Sequence, residues 1–118
     1  MAMRADIRFH IRQGDAASGV AIGPGKIALL EAIAQTGSIT AAAKALGMSY
    51  RRAWLLVDAT NHCLVRPAVL TLAGGPKGGG TVLTPLGVEL VRRYRTLEKR
   101  TASAAARSLK SILRTLPS

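Results

Sequence analysis

The stretch Gln35–Asn61, QTGSITAAAKALGMSYRRAWLLVDATN, restricts what this chain can fold into more than any other. Ala41 to Leu46 are strong helix formers, mostly small enough for another helix to pack closely. Thr40 reads as the N-cap of that helix, its hydroxyl accepting from a first-turn amide. Gly47 ends it, because glycine takes the left-handed C-terminal conformation at no Cβ cost. Ser49 is a second N-cap and opens a helix of about 49–64. A helix, a short turn containing glycine and a second helix make a helix-turn-helix pattern. In this register Ala42, Ala43 and Leu46 face a core from the first helix, and Ala53, Trp54 and Val57 from the second. Arg51, Arg52 and Leu55 then point elsewhere, since i and i+3 or i+4 positions share a face and adjacent ones do not. Ser49, Tyr50, Arg51 and Arg52 form the first turn of the second helix, the end that enters a major groove in units of this kind.

Charge narrows the partners. The chain has 118 residues, the length of one domain, and 17 Lys and Arg against 6 Asp and Glu give a formal charge of +11. With 48% apolar residues this is a folded domain that seeks polyanions. Double-stranded DNA is the expected partner, and an anionic membrane surface the lesser one. Cys63 is the single cysteine, so no intrachain disulfide forms and a reducing compartment fits. No apolar run reaches transmembrane length and Met1–Asp6 has no signal-like core, which predicts a cytoplasmic protein with no membrane partner.

The remaining segments fit around the helix pair. Ile7, Phe9 and Ile11 alternate with Asp6, Arg8, His10 and Arg12, the period of a half-buried strand. Gly14 to Gly25 carries four glycines and Pro24, a loop or hairpin. Lys26–Thr36 predicts a core helix with Ile27, Leu30, Ile33 and Ala34 on one face, stopped by Gly37. Trp54 is expected near the centre of the resulting three-helix core. Arg66-Pro67 ends the second helix of the pair, whose apolar seam continues through Val57, Asn61 and Leu64. Val69–Leu72 and Thr81–Leu83 are short β-type runs joined by Ala73–Gly80, AGGPKGGG. That loop lacks the Gly-Lys-Ser/Thr ending of a phosphate-binding loop and leads into a strand. It reads instead as a wing, with Lys77 reaching a phosphate or the minor groove. Thr84-Pro85 restarts a helix, which runs from 85 to about 116. Leu86, Leu90, Tyr94, Leu97, Thr101, Ala104, Ser108 and Ile112 form a stripe longer than a small core can cover, so a second copy of the chain is expected on it.

These residues now carry a resemblance. GSITAAAKALGMSYRRAW, Leu56-Val57-Asp58, Asn61, GGPKGGG and Leu83-Thr84-Pro85-Leu86-Gly87 closely resemble the DNA-binding domain of ModE-type molybdate-responsive transcriptional regulators. A more distant similarity is to the LysR-type winged helix, with its GSxTAAAxxL and LTPxG character. The ModE resemblance covers about 26–99. It implies a mostly α fold with a small β wing: a winged helix-turn-helix domain of a bacterial regulator with a long C-terminal helix as dimer contact. The full-length regulators carry a C-terminal pair of oxyanion-binding domains, for which a chain ending at Ser118 leaves no room. Nothing resembles their molybdate-binding residues, so molybdate sensing is not carried over and no effector is named.

By the resemblance Ser49, Tyr50, Arg51 and Arg52 begin the recognition helix and Trp54 anchors it in the core. Arg51 or Arg52 can contact guanine bidentately while the other binds phosphate. Ser38, Thr40 and the nearby first-turn amides suit phosphate contact, as does Lys77 in the wing at 74–80. Tyr50 can meet a base methyl or pack on the sugar-phosphate backbone. No Ser/His/Asp spacing, paired carboxylate or zinc pattern occurs, so neither enzymatic activity nor a cofactor is expected. Two alternatives stay open: a winged-helix adaptor for another protein, and a metal- or redox-responsive regulator using His62 and Cys63.

Overall fold

The structure, a computed structural model, describes residues 6–12, 14, 20–72 and 80–117. Its elements run β1 (Ile11–Arg12), β2 (Val20–Ile22), α1 (Pro24–Thr36), α2 (Ile39–Ala45), α3 (Tyr50–Cys63), β3 (Val69–Thr71), β4 (Thr81–Leu83) and α4 (Pro85–Leu113). Two antiparallel ribbons, β1–β2 and β3–β4, accompany the helices. The order helix, helix-turn-helix, two-stranded ribbon, long helix is a winged helix-like fold.

Each helix begins and ends for a local reason. Pro24 starts α1 at a position whose amide needs no intrahelical partner, two residues before the expected Lys26. Gly37, at φ 72°, closes α1 and donates its amide to the Ile33 carbonyl at 2.8 Å. The cap of α2 is Ser38, not Thr40: the Ser38 hydroxyl accepts from Ala41 N at 3.1 Å, and Thr40 already lies inside the helix. Gly47, at φ 68°, turns the chain out of α2. Thr84 caps α4 by accepting from Gly87 N at 3.1 Å, with Pro85 next to it. Its hydroxyl also donates to the Pro67 carbonyl at 2.8 Å, fastening α4 to the turn before the wing.

The core is aliphatic and small. Ile27, Leu29, Leu30, Ala32 and Ile33 of α1 are buried against Ile39, Ala42 and Ala43 of α2 and Ala53 and Val57 of α3. Ala34, expected on the buried face of α1, is exposed, and Leu29 and Ala32 take its place. Leu46 is also largely exposed, because α2 ends at Ala45 and the chain turns outward there. The core extends beyond 26–99. Ile22 belongs to it, and Tyr94 donates its hydroxyl to the Phe9 carbonyl at 2.7 Å while the two rings meet edge to face at 6.4 Å. Phe9 is therefore packed against the core, but only Ile11–Arg12 of the expected strand is strand, paired with β2.

The expected position of Trp54 is overturned: its side chain is 47% exposed. The buried seam of α3 is Ala53, Val57 and Thr60. At about 100° per residue, Trp54 lies roughly a quarter turn away from that seam. Ala42 and Ala43 of α2 are buried in the same cluster as Ala53.

Two devices fix the wing relative to α3. Asn61 accepts from Ala68 N at 2.8 Å and Val69 N at 3.1 Å and donates to the Val69 carbonyl at 3.0 Å. It is a polar clip, not part of an apolar seam. From the other side, Thr81 N donates to the Gly37 carbonyl at 2.9 Å, tying β4 to the turn between α1 and α2. The connection 73–79, which includes Lys77, lies outside the described residues.

Candidate nucleic-acid interface

The exposed side of α3 is assembled from its first two turns. Ser49 accepts from Arg52 N at 3.1 Å, satisfying a first-turn amide and fixing where the helix starts. A capping hydroxyl keeps its own hydrogen to donate, so Ser38 and Ser49 both retain a donor for a phosphate oxygen. Opposite the buried seam stand Arg51 and Leu55, with Trp54 and Arg52 on the two flanks and Tyr50 at the N-terminal edge. Tyr50 is 54% and Leu55 48% exposed. Arg51, Arg52, Leu55, Leu56 and Ser49 border a shallow hollow. Thr40 is exposed on α2, one helix away.

Three arginines of α4 are held by carboxylates. On α4, Arg92 and Arg93 both hold Glu89, the latter at 2.8 Å, and their hydrogen bonds, Arg92 first, lower the Glu89 carboxyl to about 2. Arg95 is pinned between Glu31 of α1 and Glu98, at 2.8 Å from the latter, and these bonds raise its pKa further. Those cations are neutralised in the fold. Among the described residues, Arg51 and Arg52 face no carboxylate within ion-pair distance. Unpaired guanidinium groups on a well-capped helix are held ready for an external anion.

The His62–Cys63 pair does not converge. His62 Nδ1 lies 2.7 Å from the Asp58 carbonyl and 3.4 Å from its carboxylate, on the outside of α3. Cys63 turns inward, its thiol donating to the carbonyls of Thr60 at 3.2 Å and Ala21 at 3.5 Å. Among the described residues no three His, Cys, Asp or Glu side chains gather at one place. No described helix is long and apolar enough to cross a membrane.

Of the residues expected to contact DNA, Ser49, Tyr50, Arg51 and Arg52 lie at the exposed start of α3 and Ser38 caps the neighbouring α2; Leu55 is exposed as its spacing predicts, and Trp54, expected inward, is exposed beside them. The signal for Trp54 was present in its i+3 spacing from Arg51.

A capped second helix with free arginines, clipped to a two-stranded ribbon, defines the helix-turn-helix class. Comparison with known proteins narrows it. No protein-family model matches the chain. It is 44% identical over 101 residues, 85% of this chain and 37% of the relative, to the molybdenum transport protein ModE of Azotobacter vinelandii. To the molybdenum-pterin-binding protein MopB of Rhodobacter capsulatus it is 43% identical over 95 residues, 80% of this chain and 35% of the relative. To the DNA-binding transcriptional dual regulator ModE of Escherichia coli K12 it is 41% identical over 71 residues, 60% of this chain and 27% of the relative. The chain carries a ModE-type regulator domain. It spans little more than a third of the length of the curated relatives it matches.

Proposed function

We propose that this protein is a sequence-specific, DNA-binding transcriptional regulator of the cytoplasm, acting as a homodimer and through one winged helix-turn-helix domain. The observation that carries the reading is the pair Arg51 and Arg52 on the capped first turn of α3, both exposed and in no ion pair among the described residues. In the proposed complex α3 enters the major groove. Arg51, opposite the buried seam, takes the guanine edge by two parallel hydrogen bonds, and Arg52 on the flank takes a phosphate. Ser38, Thr40 and Ser49 donate to the backbone, Tyr50 packs on it, and Lys77 carries the wing to the flanking phosphates or minor groove. The relatives' printed names, which speak of regulation, transport and molybdenum-pterin binding, agree with a non-catalytic role.

Dimerisation is supported by α4. Beyond Tyr94 the helix has no buried residue, and Leu97 and Ile112 remain exposed along it. A second copy laid on that stripe buries it and sets two α3 helices to read an inverted repeat, with half-sites about 34 Å apart or a multiple of that.

The test is selection of bound duplexes from a random library, followed by salt titration. The expected outcome is an enriched inverted repeat bound by two chains. Arg51→Ala should relax preference at one position per half-site at a cost of about 1–3 kcal/mol, whereas Lys77→Ala should weaken all sequences alike and flatten the salt slope. Recovery of no sequence above background, or a 1:1 complex, contradicts the proposal.

A further inference from the structure

Leu55 stands in an unexpected place for a solvated leucine. It lies one helical turn after Arg51, on the outermost line of α3, and borders the hollow shared by Ser49, Arg51, Arg52 and Leu56. Trp54 adjoins it on one side, and both side chains are about half exposed. Isolated exposed leucines are ordinary, but here two large apolar groups flank a guanidinium in no ion pair among the described residues. The folded core gains little from them. Their chemistry suits a surface that offers a hydrogen-bond acceptor and, beside it, an apolar group to be desolvated.

Duplex DNA presents that combination in the major groove: guanine N7 and O6, and the 5-methyl group of a neighbouring thymine. Resting on the DNA-binding reading above, we propose that Leu55 reads a thymine methyl one or two base pairs from the guanine held by Arg51. The spacing follows from the helix. Residues i and i+4 are about 6 Å apart along the axis, close to two base-pair steps of about 3.4 Å. The methyl enters the hollow between Leu55 and Leu56, while the arginines on its rim hold the guanine and phosphate oxygens. Hydrogen-bonding side chains read A·T from G·C at such a position; an apolar side chain reads the methyl itself.

The methyl can be removed without altering any hydrogen bond, by replacing thymine with deoxyuridine. With a duplex recovered by selection, single replacements should leave most positions unchanged. At one thymine per half-site, next to the Arg51 guanine, affinity should fall about fourfold, the worth of one buried methyl group. Leu55→Ala should bind thymine and deoxyuridine duplexes equally, and Leu55→Met, which keeps an apolar reach, should retain the preference. An unchanged far-UV spectrum and melting temperature for both variants show that the fold is intact. A selected duplex indifferent to deoxyuridine at every position overturns this inference and leaves DNA reading by Arg51 standing. A thymine preference that persists in Leu55→Ala also overturns it. Failure to select any duplex removes the DNA-binding reading itself, and this inference with it.

Discussion

Gly87→Ala sets two well-measured tendencies against each other. Gly87 is the third residue of α4, and in an open helix alanine is worth about 1 kcal/mol more than glycine. Here a Cβ would stand 2.3 Å from the Ala68 carbonyl oxygen and 3.2 Å from its carbon. Both obstacles are backbone, and both belong to the turn that Asn61 clips and Thr84 fastens, with Thr84 N also donating to the Ala68 carbonyl at 2.9 Å. Relief therefore requires α4 to lift from the 67–68 turn. Forcing an extra carbon into a packed site costs about 1–3 kcal/mol when neighbours can adjust, and a rigid backbone contact belongs at the upper end. The net expectation is a loss of about 1–2 kcal/mol, or roughly 4–10 °C in melting temperature for a domain of this size. Gly25→Ala is the control: a Cβ there meets nothing within 4 Å, and the same change in α1 should stabilise by up to about 1 kcal/mol. Thermal and urea melts of the two variants decide the matter. If Gly87→Ala melts at or above the parent, the close approach of α4 to Ala68 does not exist in solution.

Further expectations follow from contacts already described. Trp54→Ala should lower stability by less than about 1.5 kcal/mol, against about 3–5 kcal/mol for a fully buried tryptophan, and Trp54 in the parent should emit at long wavelength; a blue-shifted indole and a collapsed melting temperature return it to the core. Asn61→Leu should leave the amides of Ala68 and Val69 without partners, costing about 1–3 kcal/mol, with hydrogen exchange rising first in β3; unchanged exchange there contradicts the clip. Glu89 has a folded pKa of about 2 against an ordinary 4.5, so its ion pairs stabilise above pH 4.5 and lose that contribution as pH falls toward 2. An NMR titration of its carboxyl should have its midpoint near 2, and a midpoint near 4.5 would show that Arg92 and Arg93 do not hold it.

What was legible in the sequence was set by local chemistry. Ser49, Gly37, Gly47, Thr84 and Pro85 act within one turn of themselves, so helix boundaries near them could be placed from the chain alone. Thr40 was read as the cap of α2, but the cap is Ser38, two residues earlier, and Ile39 enters the core as the first helical residue. Leu46 and Trp54 failed for a different reason. Size and hydrophobicity argued for burial, but Leu46 follows the end of α2 and Trp54 lies a quarter turn from the buried seam of Ala53, Val57 and Thr60. Asn61, Gly87 and the Glu31–Arg95 pair join segments far apart in the chain, and no spacing rule announces such partners. At the candidate interface the charged members were readable because nothing nearby in sequence could neutralise Arg51 and Arg52. Leu55 was readable too, from its helical spacing, whereas the exposure of Trp54 appeared only in the structure.

The claim that the first turns of α3 meet base edges is tested most directly by replacing single guanines with 7-deazaguanine in a selected duplex. This removes the N7 acceptor and keeps Watson–Crick pairing. The account predicts one guanine per half-site at which the parent loses about 1–3 kcal/mol while Arg51→Ala, already weaker, loses nothing more. If every guanine can be replaced without loss, or if Arg51→Ala responds as the parent does, then Arg51 does not read a base and α3 does not enter the major groove as described.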